Sequence, residues 1–357
     1  GPVGPAPVAT KDAPDPFGAL KARIAQAKFP ILSANIYEAA SDARPSWLPG
    51  DGTVLIERKG LKIGIVGLTT PQTPTVTTPI NVATLRFAPL ADEAKAASQR
   101  LRARGADLVI AVMHAGGRCP GAAHPHDLTG CDEDVGEVFG MMNALPQGTL
   151  DAVVAGHSHA LLGHFINGTP VIESYSFGRA FGVIDLSIDP VTKKVLAEQT
   201  VITPATEVCE TWDEASRSCD VKKLKARAAE VKPVVATFRG APVIPDADVL
   251  ALLAPAEAAV DELPHQPLGL DVPEDLTRAY EKESALGDVF SDGLRGVANA
   301  DIALMNPGGF RADLRAGPLT YGAVYEVIPF DNTVAVVTVT AEQLRRMLNA
   351  AYGARKG

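Results

Sequence analysis

Three histidines carry the most suggestive chemistry in this 357-residue sequence. His114 follows the apolar run "LVIAVM", and His157 and His159 stand two apart after "DAVVAG". Neutral imidazole is a common ligand for zinc, manganese and related metals. In an extended loop, an H-x-H spacing lets two side chains diverge and reach one metal or two neighbouring ones. Gly116, Gly117 and Gly156 allow sharp backbone turns that leave the rings exposed. A lone histidine at a strand end is more often a satisfied polar residue. An H-x-H after glycine, paired with a second strand-end histidine, points to a metal site instead.

The elements that must position these rings follow from the pattern. "DPFGALKARIAQAKF" has helical spacing of Leu20, Ile24 and Phe29, with Asp15-Pro16 as a start signal. "PILSANIY" reads as a short buried strand. "TVLIERKGLKIGIVGLTT" reads as a hairpin around Lys59-Gly60. "LADEAKAASQRLRARG" is a helix with a glycine stop. "ADLVIAVMHAGG" and "LDAVVAGHSHA" are apolar strands running into glycine-histidine loops, and "TPVIESYSFGRAFGVIDLSID" gives two more strands. Strands alternating with helices, each strand too apolar to have a wet face, imply a sheet covered on both sides. Such sheets place their chemistry in loops at strand ends, where the three histidines fall.

The domain reading is a disordered start over 1–16, a larger domain over 17–221, a mostly helical linker over 222–264, and a smaller unit over 265–357. That last unit begins with a helix in "SALGDVFSDGLRGVAN", then a strand "ADIALMN" and a glycine turn. The Pro/Gly-rich opening reads as disorder or as a trace of processing. It is not evidence of a natural N-terminus.

Bulk properties narrow the function. Formal net charge is −9 with no block of lysine or arginine, which argues against a polynucleotide partner held through phosphates. It leaves small phosphorylated substrates open, because metal ions supply positive charge locally. No apolar run is long enough to cross a bilayer. Cys119 with Cys131, and Cys209 with Cys219, bracket loop-like segments, as disulfides do in oxidising compartments. A cysteine zinc site is the rival, though it usually shows tighter C-x2-C pairs. Disulfides point to the periplasm or the cell exterior.

"VIAVMHAGG" and "VVAGHSHALLGHFINGTPVIESYSFGRAFGVIDL" resemble the later metal motifs of calcineurin-like metallophosphatases, in particular the bacterial 5′-nucleotidase and 2′,3′-cyclic phosphodiesterase family. "ESALGDVFSDGL" and "ADIALMNPGGFRADLRAGPLTYGAVYEVIPFDNTV" resemble that family's C-terminal domain. The resemblance runs from about residue 17 onward. It implies an α/β fold: a metallophosphatase β-sandwich flanked by helices, plus a smaller α+β C-terminal domain. It further implies two divalent ions, zinc, manganese or similar, with His114 and His157 on one and His159 on the other. Asn306, Gly308, Gly309 and Arg311 of "NPGGFR" would hold a nucleotide or similar small phosphoester, and Phe330 would stack on its base. The helical stretch near 245–262 would be the hinge that lets the C-terminal domain carry substrate to the metals.

Each role has a plain physical rationale. Glycines 308 and 309 permit close backbone approach to a ligand, Arg311 offers a planar fork for phosphate or carboxylate, and an aromatic ring stacks on a base. The ordinary alternatives are a core Phe330 and an Arg311 paired with Asp313.

The sequence also departs from the family. Its D-x-H motif, its metal-bridging aspartate and its G-N-H-E motif do not occur here, and Asn35 falls on the strand after the last of these. The family's C-terminal domain continues to a second aromatic of the base clamp. Where members carry an arginine before "ESALG", this chain has Glu281 and Lys282, with Arg278 or Lys282 as possible substitutes. The expectation is a secreted phosphomonoesterase sequence, acting on nucleoside 5′-phosphates in the parent enzyme and impaired in this chain. A nucleotide-binding scaffold, or a phosphodiesterase on cyclic or sugar nucleotides, is the alternative.

Overall fold

A computed structural model describes residues 15–120, 124–132, 136–209, 211–212, 219, 234–280, 282–330, 332 and 334–353. The start over 1–14 and residues 222–233 of the expected linker lie outside the described residues. The chain divides into two compact units, Gly1–Ile244 and Pro245–Gly357.

The first unit is built on a six-stranded mixed sheet. Strand β1 (Ile36–Glu38) pairs apart from it with β4 (Leu85–Phe87). The sheet order is β2 (Thr53–Arg58), β3 (Leu61–Thr69), β5 (Leu108–His114), β6 (Ala152–Val154), β8 (Thr169–Ser174) and β7 (Leu161–Ile166). β3, β5, β6 and β8 run parallel, and the outer strands β2 and β7 are antiparallel to their neighbours. Lys59 and Gly60 both take left-handed φ, 51° and 76°, in the two-residue turn that joins β2 to β3 in register Arg58↔Leu61. β9 (Ala180–Asp185) and β10 (Val201–Glu207) form an antiparallel pair. Ile184 and Ile202 of that pair pack on Phe165 and Ile172 of β7 and β8, a second β layer.

Helix packing explains the parallel core. Helix α4 (Leu90–Ala103) buries Leu90, Ala94, Ala97 and Leu101, a 3–4 residue spacing that forms one face. Its Leu101 lies so close to β3 that a Cβ on Gly64 would sit 2.9 Å from it. Helix α5 (Glu137–Ala144), with no counterpart in the sequence reading, buries Val138, Phe139, Met141 and Met142 against the same core. The helix expected over residues 15–29 is shorter: α1 spans Gly18–Gln26, buries no residue, and leaves Phe29 70% exposed. Leu20 and Phe29 of its apolar stripe are exposed, and spacing alone does not extend the helix.

The stretch 234–242, read as helical linker, is β structure. Thr237–Phe238 pairs with Ala241–Pro242 across Arg239 (φ 50°) and Gly240 (φ 80°). Phe238 packs edge-on against Phe181 of β9 at 4.7 Å, which attaches this stretch to the first unit. β-branched residues and a left-handed turn outweigh the surrounding alanines and lysines.

In the second unit, a helix over Ala247–Val260 starts at Asp246, whose carboxylate accepts from the backbone N–H of Asp248 and Val249. Strand Pro267–Val272 pairs antiparallel with Gly317–Thr320. Helix Ala285–Ala298 is capped by Ser284 and ended by Asn299 in left-handed backbone. Val272, Leu286, Phe310, Leu314 and Val327 form a small core. The expected strand in "ADIALMN" is absent: residues 302–306 carry no strand, and Ile302 and Leu304 are exposed. Among the described residues this run has no ladder partner, and propensity without a partner does not make a strand.

Candidate functional site

His114 ends β5, and the loop after β6 brings His157 to it, so the two rings lie 4.8 Å apart between centroids. Burial, and then the neighbouring His157, hold the His114 imidazole below the ordinary histidine value, which favours the neutral ring a metal requires. His157 and His159 take left-handed φ of 84° and 55°. The intervening Ser158 thereby turns inward while His159 packs against the edge of Phe177 at 5.4 Å.

A buried carboxylate ties these loops together. Glu173 of β8 is 1% exposed and accepts from the Ser158 hydroxyl at 2.8 Å, the Ala160 N–H at 3.3 Å and the Gly117 N–H at 3.4 Å. Burial pushes its carboxyl up, against the pull of those bonds. Gly116 sits at the junction: a Cβ there would lie 2.4 Å from both Glu173 Oε2 and the Gly156 carbonyl. The Gly116 carbonyl in turn accepts from the Val138 N–H that opens α5. Sequence reading passed over Glu173 because "PVIESY" scans as an ordinary strand; a lone acid in that apolar run was the available signal. Asn35 is fully engaged by backbone, accepting from Thr69 N–H and donating to the carbonyls of Thr69 and Ala88.

Cys119–Cys131 and Cys209–Cys219 are disulfides, as their spacing suggested. Among the described residues, one group sets three metal-ligating atoms within 4.8 Å of one another: Cys119, Cys131 and His164. Its sulfurs are bonded to each other, so it offers no thiolate pair. His114, His157 and His159 do not converge on one point in this way. Two neutral imidazoles in contact suit one divalent cation, but they fall short of about four ligands per ion.

The second unit assembles a separate cluster. Asn306 opens the 3-10 turn Pro307–Gly309, and Phe310 anchors it in the core. A Cβ on Gly308 would lie 2.7 Å from the Tyr280 hydroxyl, whereas one on Gly309 would meet its nearest atom, Asn306 Oδ1, at 3.4 Å. Gly308 is thus the tighter of the two positions, its near neighbour being the hydroxyl end of the exposed Tyr280 side chain. Arg311 donates to the Gly308 carbonyl at 3.0 Å and holds its guanidinium 5.5 Å from the Phe330 ring centre. Phe330 is 44% exposed, which excludes a core role. Asp313 is engaged by Arg278, through its backbone N–H and its side chain, and by Arg315. Arg278 also donates to the carbonyls of Phe310 and Arg311, so it braces this turn. Lys282 is exposed.

No helix among the described residues is long and apolar enough to cross a membrane. Residues 265–357 match the family model of the 5′-nucleotidase C-terminal domain. An endonuclease from Bacillus subtilis, YhcR, is 24% identical over 90% of this chain and 23% of its own length. A 5′-nucleotidase from Vibrio cholerae is 26% identical over 90% of the chain and 57% of its length. The crystal structure of a Thermus thermophilus 5′-nucleotidase precursor superposes with a TM-score of 0.59, at 23% identity, over 89% of the chain and 56% of that structure. The chain thus spans from about a quarter to under two thirds of the relatives it matches. The chain is thus similar in sequence to bacterial 5′-nucleotidases and shares the calcineurin-like fold of the solved one, and its residues 265–357 match the 5′-nucleotidase C-terminal domain.

Proposed function

We propose that this chain is part of a periplasmic or secreted metal-dependent phosphomonoesterase acting on nucleoside 5′-phosphates. The observation that carries the reading is the His114–His157 contact at 4.8 Å at the ends of two parallel strands, with His159 beside it. His114 and His157 would hold one divalent cation, and His159 would contribute to a second. Divalent cations held there would supply a hydroxide nucleophile at neutral pH and would neutralise charge developing on the phosphoryl oxygens. The chain's own groups do the positioning. Glu173 fixes both histidine loops through Ser158, Ala160 and Gly117. In the second unit Asn306 and Arg311 bind the sugar and polar groups of the nucleotide, and the exposed face of Phe330 stacks on its base.

Two disulfides support an oxidising location. With no metal-bridging carboxylate grouped with these imidazoles among the described residues, hydrolysis by this chain alone would be slow. Phosphate release from AMP, with manganese or zinc supplied, tests the reading beside His157→Ala. Release that disappears in the variant supports it, and equal release from both proteins overturns it.

A further inference from the structure

A fully buried histidine stands in a strand that is otherwise apolar. His164 of β7, in the run "LLGHFI", is 1% exposed. Beside it are the two sulfurs of Cys119 and Cys131, and the three ligand-bearing atoms lie within 4.8 Å of one another. While the disulfide is closed, the sulfurs are bonded to each other and cannot act as thiolates. Reduction changes the chemistry of the cluster. A dithiol reductant is oxidised to its own disulfide and passes two electrons and two protons to the sulfurs. Two thiols then stand beside an imidazole.

The 119–131 loop has attachments of its own that outlast the S–S bond. The Asp132 N–H donates to the Arg118 carbonyl at 2.9 Å, joining by backbone the residues next to the two cysteines. The Phe165 N–H of β7 donates to the Pro125 carbonyl at 2.7 Å. The His126 ring stacks on Phe165, 4.5 Å between centroids at 3°. Both cysteines and Leu128 also pack on the core. These contacts keep the thiols close to His164 once the bond between them is cut.

We infer that Cys119, Cys131 and His164 form a zinc site in the reduced chain, where the metal replaces the disulfide as the clasp between the loop and β7. Two thiolates and one imidazole, with water in the fourth position, are a donor set that zinc accepts. Tetrahedral zinc keeps such atoms about 3.5–3.8 Å apart, a spacing that rotation about each cysteine Cα–Cβ bond reaches. The ion displaces the two thiol protons, which leave to water. Its two positive charges are then balanced by two thiolates, so the buried site is neutral and carries little desolvation cost. The imidazole gives one nitrogen to the metal and keeps its single proton on the other. That exchange gives up the 3.2 Å bond which Nδ1 accepts from the Gly163 N–H, a long one. The site is open to the chain before it meets an oxidising compartment, and oxidation expels the metal.

The test uses the full chain with Cys209→Ser and Cys219→Ser, which leaves one disulfide. The protein is reduced with excess dithiothreitol, freed of it without air, and titrated with cobalt. The thiolate-to-cobalt charge-transfer absorption reports sulfur ligation, which a histidine centre does not give. The expected result is a band that saturates at one ion per chain and is bleached by zinc. It is absent from the oxidised protein and is lost or halved in Cys119→Ser. X-ray absorption of the zinc-loaded reduced chain should show sulfur at about 2.3 Å and imidazole nitrogen at about 2.0–2.1 Å. His164→Gln should weaken binding at least about tenfold, since even an outer-shell partner is worth that much. No band in the reduced chain overturns the inference, as does a full band in Cys119→Ser. A sulfur shell without imidazole, or native affinity in His164→Gln, overturns it too. The X-ray spectrum decides the histidine's part even where His164→Gln does not fold.

Discussion

Replacing Gly116 with alanine inserts one methyl group where the histidine loops, Glu173 and α5 meet. The added carbon would lie 2.4 Å from Glu173 Oε2, 2.4 Å from the Gly156 carbonyl and 2.8 Å from the Ser158 hydroxyl. Ordinary contact needs about an ångström more on the first two. Neither can retreat cheaply. Glu173 is clamped by three donors, and the Gly156 carbonyl is backbone beside His157. Overpacking of this kind costs about 1–3 kcal/mol and occasionally more, and the upper end applies because both neighbours are rigid.

Gly140→Ala is the matched control. It lies in α5 with nothing within 4 Å of an added Cβ, so it stabilises the helix by roughly 0.5–1 kcal/mol. Urea unfolding therefore moves in opposite directions for two identical chemical changes, separated by about 3 kcal/mol. In a heating experiment, each kcal/mol shifts the midpoint by about 2–4 °C for a unit of this size. A Gly116→Ala protein within 0.5 kcal/mol of the native one would refute the tight junction on which the site geometry depends.

Other outcomes are expected elsewhere. Phe330→Ala, removing a 44% exposed ring, weakens AMP binding by about 1–3 kcal/mol without moving the unfolding midpoint; unchanged affinity in a calorimetric titration would remove the stacking role. The N–H groups of Thr192 and Val191 hold the Asp189 carboxyl below its ordinary value. A depressed native value means the turn gains from ionisation above the unfolded value of about 3.9 and loses that gain as pH falls through the native value. NMR titration should thus show the 189–194 turn ordered at pH 5 and loosening only well into acid, whereas Asp189→Asn removes that pH dependence.

Much of this arrangement is legible in the chain. The apolar runs before His114 and His157 form adjacent parallel strands, as read, but they are not covered on both faces, because the paired Val112 and Val154 stay exposed. Lys59-Gly60 announces its hairpin, and the cysteine spacings announce both disulfides. Other features depend on partners remote in sequence. Glu173 reads as a strand residue, and its role appears only when Ser158, Ala160 and Gly117 converge on it. Tyr175 and Phe177 look like β formers, yet both are held left-handed beside the His159 loop. In the same way, "ADIALMN" has strand composition but no described neighbour to pair with, and 234–242 forms a hairpin because β9 offers Phe181 as a packing partner.

Anomalous scattering from crystals of the chain soaked in zinc addresses the histidine centre directly. The expected result is a metal peak about 2.0–2.1 Å from imidazole nitrogens of both His114 and His157. Zinc elsewhere on the protein, with these two rings still in contact and unligated, would contradict the assignment of this site as the metal centre.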